Sequence, residues 1–155
     1  MELKFRAWIK RCDIGLFKNG MPSTVIRNQM LPVTGLHFFE GQELSSVSLD
    51  SEEFGEIQDI PLYRHDISIT VLQWTGLKDK NGVDIYEKDI IKLDRTNCNE
   101  IGIKLHIDMV RRDKLGCYHV DDKRLHHCRL KKCEVVGNVF ENPKLLNVDG
   151  ENLGE

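Results

Sequence analysis

The segment Gln73–Lys92 constrains the fold more than any other part of the chain. Asn81 and Gly82 form a strong hairpin signal, because both residues tolerate the positive φ angles that a tight two-residue turn requires. A polar stretch at residues 87–89 then precedes the apolar Ile90. That pattern predicts a second turn that leads into a new strand. The segment therefore predicts two turns and the ends of the strands that they join.

Apolar and polar residues alternate elsewhere in short runs, which is typical of half-buried strands. We expect strands over residues 2–10, 67–72 and 101–109, two more over 116–120 and 134–140, and a last helical turn after Pro143. Residues 21–41 are irregular, because two prolines and a glycine interrupt them. The expected fold is mainly β: a small SH3-like or twisted-sheet barrel in the C-terminal part, with an N-terminal β extension and short helical turns.

Length and composition predict one globular domain. The chain has 155 residues, of which 40% are hydrophobic and 30% charged, so it is apolar enough to form a core. Residues 50–59 contain five acids and no base, which predicts a solvated loop or helical turn. We place a division near this run, between possible lobes at residues 1–60 and 66–146, and we expect residues 147–155 to form a flexible tail.

Three blocks, in this order, resemble the YopX family of small phage and prophage proteins: Lys4–Trp8, Gln73–Lys92 and Glu134–Leu146. The resemblance implies a single YopX-like domain over residues 1–155, encoded by a phage or prophage. Lys88 departs from the family pattern, in which a small residue, often glycine, stands between the two acids. The resemblance implies no catalytic residue.

The expected localisation rests on the lack of long apolar runs and on the odd number of cysteines. The N-terminus lacks the continuous apolar core of a signal peptide, and no run of about 18 apolar residues could span a bilayer. The chain has an odd number of cysteines, which favours reduced thiols: Cys12, Cys98, Cys117, Cys128 and Cys133. We therefore expect a protein of the bacterial host cytoplasm that does not associate with a membrane.

A metal site is the sharpest chemical alternative in the C-terminal half. Six thiol and imidazole side chains lie within seventeen residues: Cys117, His119, His126, His127, Cys128 and Cys133. Zinc requires four such ligands in a tetrahedral arrangement, but these residues lack the usual Cys-x-x-Cys spacing. Buried thiols and exposed imidazoles are therefore the favoured interpretation, and no cofactor is expected.

The sequence argues against the common enzyme classes. It contains no phosphate-binding glycine loop, no nucleophile elbow and no zincin helix. Asp84, Glu87 and Asp89 could gather as metal-binding or acid–base carboxylates, although capping of the turn amides is the favoured alternative. The adjacency of His127 and Cys128 does not place a base beside a nucleophile, because neighbouring side chains on a strand point apart. An enzyme of an unfamiliar class stays open.

Two binding functions therefore remain. In the first, the protein is a non-catalytic protein-interaction module that forms a homo-oligomer or binds another protein. The candidate contact residues are Trp8, Trp74 and Tyr86. Both tryptophans also fit a purely structural place in the core.

In the second, the protein is an accessory nucleic-acid-binding protein. Residues 111–132 hold eight bases against three acids, a local excess of +5 in a chain of net charge −3. Such a stretch can attract phosphates, although a solvated surface is the alternative. The candidate phosphate contacts are Arg111, Arg112, Lys123, Arg124, Arg129, Lys131 and Lys132.

Overall fold

The computed structural model describes residues 3–13, 25–39, 43–53, 55–62, 67–94, 105–121, 123–128 and 130–147. These ranges are mainly β, which confirms the expected fold class. The chain divides into two compact units, Met1–Gln73 and Trp74–Glu155. Among the described residues, no helix is long and apolar enough to cross a membrane.

The N-terminal unit contains an antiparallel sheet. Its strands are β1 (Phe5–Asp13), β2 (Val25–Ile26), β3 (Gln29–Phe38), β4 (Leu44–Ser51), β5 (Gly55–Pro61) and the first part of β6 (Ser68–Lys78). The order is β5-β4-β3-β1-β6, and β2 pairs with the end of β1. The strands that alternation predicts over residues 2–10 and 67–72 are therefore confirmed as β1 and β6.

The core of this unit forms where β1 lies between its neighbours. Ala7 and Ile9, two positions apart on β1, are fully buried and pack with Val47 and Leu49 of β4. Alternate residues of a strand share a face, so a two-residue period places both side chains in the core. Trp8 lies between them in sequence and is only 8% exposed, so β1 is covered at this position too.

The irregular stretch before residue 41 contains a long strand, β3, that the sequence did not predict. The pairing register of β3 with β4 shifts between Val33 and Gly35, which marks a β-bulge. Pro32 lies next to this irregularity, and prolines are tolerated in sheets at bulges. Gly35 gives β4 room, because a Cβ at that position would lie 3.3 Å from the Cβ of Ser48. Pro32 and Gly35 are therefore accommodated within β3 and do not end the strand.

The acidic run at residues 50–59 is a hairpin, so the expectation of a loop or helical turn is wrong. β4 and β5 pair across the run, with Leu49 opposite Ile57 and Asp50 opposite Glu56. The acids lie on exposed positions of the hairpin. Asp59 adopts a positive φ of 54°, and its amide donates a hydrogen bond to Ser48 Oγ at 3.2 Å. Local charge alone did not reveal the strand pairing.

The C-terminal unit contains short strands and three single-turn 3₁₀ helices. The strands are the rest of β6, β7 (Asp84–Tyr86), β8 (Asp89–Asp94), β9 (Leu105–Met109), β10 (Arg111–Arg112), β11 (Tyr118–Val120), β12 (Lys123–Arg124) and β13 (Cys133–Asn138). The 3₁₀ helices are Leu125–His127, Leu130–Lys132 and Pro143–Asn147. β9, β11, β13 and the last turn confirm four of the predicted elements; residues 101–104 and 148–155 lie outside the described ranges.

A barrel was expected here, and the described strands do not form a closed one. β6 and β7 form a hairpin, β13-β8-β9 is one antiparallel sheet, and β10-β11-β12 is a second. Their buried side chains share one apolar cluster: Ile85, Ile91, Leu93, Val110, Val120, Leu125 and Cys133. Small open sheets can therefore share a core without the continuous hydrogen bonding that a barrel requires.

The turn between β7 and β8 explains the departure at Lys88. Lys88 has a φ of 65°, in the left-handed region where glycine carries no steric penalty. Its amide donates to the carbonyl of Val110 at 3.0 Å, and its carbonyl accepts from the amide of Val139 at 3.0 Å. These two contacts hold the backbone of Lys88 in the left-handed conformation despite its steric cost.

We predict that Lys88→Gly raises the free energy of unfolding by about 1 kcal/mol, because glycine removes the left-handed strain. Urea denaturation followed by circular dichroism would measure the change. Lys123→Gly, at an exposed strand position without a positive φ, is the control and should destabilise. A destabilised Lys88→Gly protein would contradict the argument.

Candidate functional site

Asp79 organises the hairpin between β6 and β7. Its Oδ1 accepts hydrogen bonds from the amides of Asn81 at 2.8 Å and Val83 at 3.0 Å. The amide of Asp79 donates to Val83 O, and its carbonyl accepts from Gly82 N. Gly82 has a φ of 82°, whereas Asn81 does not adopt a positive φ. The predicted hairpin is confirmed, but its loop is a longer one that ends in a left-handed glycine, not a two-residue primed turn.

The same carboxylate fixes this hairpin to β13. Oδ2 of Asp79 accepts a hydrogen bond from the amide of Val135 at 3.0 Å, and the amide of Lys80 donates to Cys133 O at 2.9 Å. Asp79 is only 7% exposed. Burial pushes the pKa of Asp79 upward, but the backbone amides bonded to it outweigh burial and leave that pKa below the ordinary value of 3.8. The buried charge is therefore a structural anchor.

Asp113 builds a second loop with the same geometry, between β10 and β11. Its Oδ1 accepts from the amides of Leu115 at 2.8 Å and Cys117 at 2.9 Å. Gly116, with a φ of 81°, donates its amide to Asp113 O, and Asp113 N donates to Cys117 O. Both loops read Asp-Lys-x-Gly, at residues 79–82 and 113–116. This shared spacing was the sequence signal that the turn analysis missed.

The two loops differ in what the second oxygen binds. Oδ2 of Asp113 lies 2.9 Å from Nε2 of His119 on β11, at the surface. The amide of Cys117 lowers the pKa of Asp113, burial opposes that shift, and His119 lowers the pKa further. Leu115 stands at the end of this loop with 85% of its surface exposed. The loop therefore presents an ordered backbone and an exposed apolar side chain.

The sheet β10-β11-β12 carries a transverse row of basic side chains. Arg111 pairs with His119, and His119 pairs with Arg124, so these three residues share one face. Val120, the next residue along β11, points the opposite way and is fully buried. The row therefore faces away from the core.

Acidic neighbours engage part of the predicted phosphate-binding set. Arg111 forms a bidentate pair with Asp108, at 2.8 and 2.9 Å, which raises the pKa of Arg111. Lys132 Nζ lies 3.2 Å from a carboxylate oxygen of Asp94. These two bases are therefore already paired within the protein.

Arg112 is held in a different way. Its Nε lies 3.9 Å from a carboxylate oxygen of Glu87, and its guanidinium lies 5.9 Å from the centre of the Tyr118 ring. Burial, and then the charge of Glu87, raises the pKa of Tyr118, and Arg112 opposes that rise. The side chain of Arg129, another candidate, lies outside the described atoms.

The other predicted phosphate contacts are available. Lys123, Arg124 and Lys131 are exposed, and within the described part of the chain none of them has a carboxylate partner. His126 and His127, also exposed, follow β12 directly, with ring centroids 4.1 Å apart in an edge-to-face arrangement. The sequence shows how many charges this region carries but not which of them are paired.

The six predicted metal ligands do not form a cluster. The thiol of Cys133 is buried, and burial, with the charges of Asp79 and then other neighbours, raises its pKa to about 12, so it stays protonated. His119 contacts Asp113, and the rings of His126 and His127 contact each other. Over the described ranges, the cluster of potential metal ligands contains none of the six, and the zinc alternative finds no geometric support.

That cluster is His106, Asp108 and Asp121, whose ligand atoms lie within 4.8 Å of one another. Asp108 already accepts four hydrogen bonds: from Met109 N and Arg111 Nη2 at Oδ1, and from Arg111 Nη1 and Asp121 N at Oδ2. A carboxylate offers about four acceptor positions, so Asp108 has none left for an ion. The group therefore acts as a charge network that fixes β9, β10 and the turn after β11.

The acids around the β7–β8 turn have structural partners. Asp89 is fully buried, and its Oδ2 accepts the amide of Tyr86 at 2.8 Å. Asp84 pairs with Lys78 at 2.6 Å. Together with Glu87, which faces Arg112, these acids do not form a carboxylate cluster in the described structure. The capping alternative is thus confirmed for Asp89.

The predicted aromatic contacts are covered to different extents. Trp8 is buried, whereas Trp74 and Tyr86 are half-buried, and Nε1 of Trp74 donates to Leu77 O at 3.1 Å. Among the phenylalanine, tyrosine and tryptophan residues that the structure describes, the most exposed are instead Phe38 and Phe39, at 58% and 55%. Two adjacent phenylalanines after an interrupted stretch were the signal that the sequence analysis did not use.

Comparison with known proteins identifies the family. The family model for the YopX protein matches residues 4–147. The chain belongs to the YopX family. A search of curated proteins finds no match. The crystal structure of protein EF1440 from Enterococcus faecalis is similar in fold, with a TM-score of 0.58 and 24% identity, over 94% of this chain and 99% of that one.

We predict that Asp79→Asn lowers the free energy of unfolding by about 1–3 kcal/mol. An amide can still accept from two loop amides, but its NH₂ group would face the amide of Val135 and leave a buried donor unpaired. Asp113→Asn is the matched control, because it keeps the same loop bonds and loses only a surface contact with His119. Urea denaturation compares the two variants; an equal or greater loss in Asp113→Asn would contradict the anchoring role of Asp79.

Acid should remove the contribution of Asp79. Because the folded pKa of Asp79 lies below its ordinary value of 3.8, its stabilising charge is fully present above that value and is lost as pH falls through the folded pKa. We expect the free energy of unfolding of Asp79→Asn to fall less steeply below about pH 4 than that of the wild type. Parallel slopes would show that Asp79 titrates alike in both states.

Proposed function

We propose that this YopX-family protein is a phage- or prophage-encoded, non-catalytic binding module that associates with itself through protein contacts in the bacterial cytoplasm. The observation that carries the proposal is the exposure of two adjacent aromatic rings, Phe38 and Phe39, in the N-terminal unit. Large aromatic side chains contribute strongly to the centres of protein interfaces.

The backbone beneath these rings is ordered. Phe38 ends β3 and pairs with Leu44 of β4. The amide of Phe39 donates to Glu43 O at 2.9 Å, and Ser45 Oγ donates to His37 O at 2.9 Å. A fixed backbone lowers the conformational entropy that must be lost on association, so the rings can contribute more of their burial energy to binding.

A second copy of the chain fits this surface. In a two-fold dimer the same patch meets itself, so Phe38 and Phe39 of each protomer would cover those of the other. The same rings could instead bind another protein. The buried titratable groups support a non-catalytic module, because Asp79 and Asp89 bind backbone amides and Cys133 stays a protonated thiol. The proposed contact residues are therefore Phe38 and Phe39, at the end of the β3–β4 hairpin, in place of the tryptophans.

We predict that size-exclusion chromatography with light scattering gives a dimer whose mass does not change with salt, because apolar contacts are not screened. Phe38→Ser/Phe39→Ser should be monomeric and retain the wild-type circular dichroism spectrum. Leu115→Ser, which removes a more exposed apolar side chain of the C-terminal unit, is the control and should stay dimeric. A monomeric wild type at all concentrations, or a dimeric double variant, would refute self-association through Phe38 and Phe39.

A further inference from the structure

Residues 123–128 and 130–131 of the C-terminal unit present basic and imidazole side chains on an anchored backbone. Leu125 is fully buried in the apolar cluster, and Leu130 packs against the same cluster. The amide of Cys128 donates to Leu125 O at 3.0 Å and closes the short helix. The exposed side chains of this basic strip, as we name it, are Lys123, Arg124, His126, His127 and Lys131.

The charge of the basic strip is not neutralised in the described structure. Arg111, Lys132 and His119 face Asp108, Asp94 and Asp113, respectively, and so contribute little net charge to an approaching anion. Lys123, Arg124 and Lys131 have no such partner among the described side chains. A phosphate backbone would be attracted to these three residues and to the exposed Lys114 of the β10–β11 loop, which also has no described carboxylate partner.

The exposed rings of His126 and His127 determine which type of polyanion the basic strip can bind. These two rings contact each other and follow Lys123 and Arg124 closely in the chain. Histidine and arginine planes stack on unpaired bases, whereas the bases of a duplex already stack on one another. We infer that the basic strip binds single-stranded nucleic acid, with phosphates on Lys123, Arg124 and Lys131 and bases against His126 and His127. This function goes beyond self-association and uses a different unit.

The test measures fluorescence anisotropy of a labelled single strand of about 20 nucleotides, and of the same sequence as a duplex, between about 50 and about 200 mM salt. The wild type should bind the single strand more tightly than the duplex, with an affinity that falls as salt rises. Lys123→Glu/Arg124→Glu should weaken binding at least about tenfold and reduce the slope of log affinity against log salt by about 1.4, or 0.7 for each lost contact.

Two further variants separate the basic strip from general charge. Lys10→Glu/Lys144→Glu makes the same change of net charge at exposed lysines outside the strip and should retain most of the affinity. His126→Ala/His127→Ala should lose the preference for the single strand and keep the salt slope. Circular dichroism confirms that each variant is folded.

Several results would overturn the inference. These are no binding at low salt, equal losses in the two charge-reversal variants, or a preference for the duplex. Competition by polyglutamate as effective as by the unlabelled oligonucleotide would likewise show a surface for acidic protein segments. Because a strip variant leaves Phe38 and Phe39 unchanged, the same samples analysed by light scattering distinguish failure here from failure of self-association.

Discussion

The order of the C-terminal unit depends on one buried carboxylate. Asp79 accepts three backbone amides, two from its own loop and one from Val135, and these bonds compensate for removing the charge from water. Glutamate would place the charge one methylene further out, and asparagine would turn a donor toward Val135. Asp89 repeats the principle at the next turn, where it holds Tyr86. The carboxylates of Asp79 and Asp89 both bind backbone amides and so stabilise turns. Residues that bind a partner must therefore be sought at the surface.

The basic side chains at the surface that can bind a partner are those that are not already paired with an acid. Residues 111–132 carry an excess positive charge of +5. The sequence alone does not show that Asp108 pairs with Arg111 or that Asp94 pairs with Lys132. Both acids fall outside the basic run: Asp108 lies three residues before Arg111, whereas Asp94 reaches Lys132 through the fold. Within residues 111–132, the described cations without a carboxylate partner are Lys123, Arg124 and Lys131 of the basic strip and Lys114 of the loop before β11. Those of the strip lie close in sequence to the exposed His126 and His127.

Local patterns predicted the strands well and the contacts poorly. Alternation located β1, β6, β9 and β13, because a two-residue period reflects burial on one face. β3 was missed because a bulge accommodates Pro32 within a sheet. Leu44, Val47 and Leu49 indicated the strand β4, but its partner β5 was missed because acids on exposed strand positions look like a loop. The repeated Asp-Lys-x-Gly loops were readable in principle. The pairing of Lys132 with Asp94, and of Arg112 with Glu87, depended on residues far apart in sequence.

We propose that the two units bind through separate surfaces, Phe38 and Phe39 in one and the basic strip in the other. Amide chemical shifts of ¹⁵N-labelled protein, recorded as a single-stranded oligonucleotide is added, would locate the nucleic-acid surface residue by residue. We expect the shift changes to concentrate at residues 123–131 and the signals at the end of the β3–β4 hairpin to stay unchanged. Shifts centred on Phe38 and Phe39, or spread evenly over exposed lysines of both units, would contradict it.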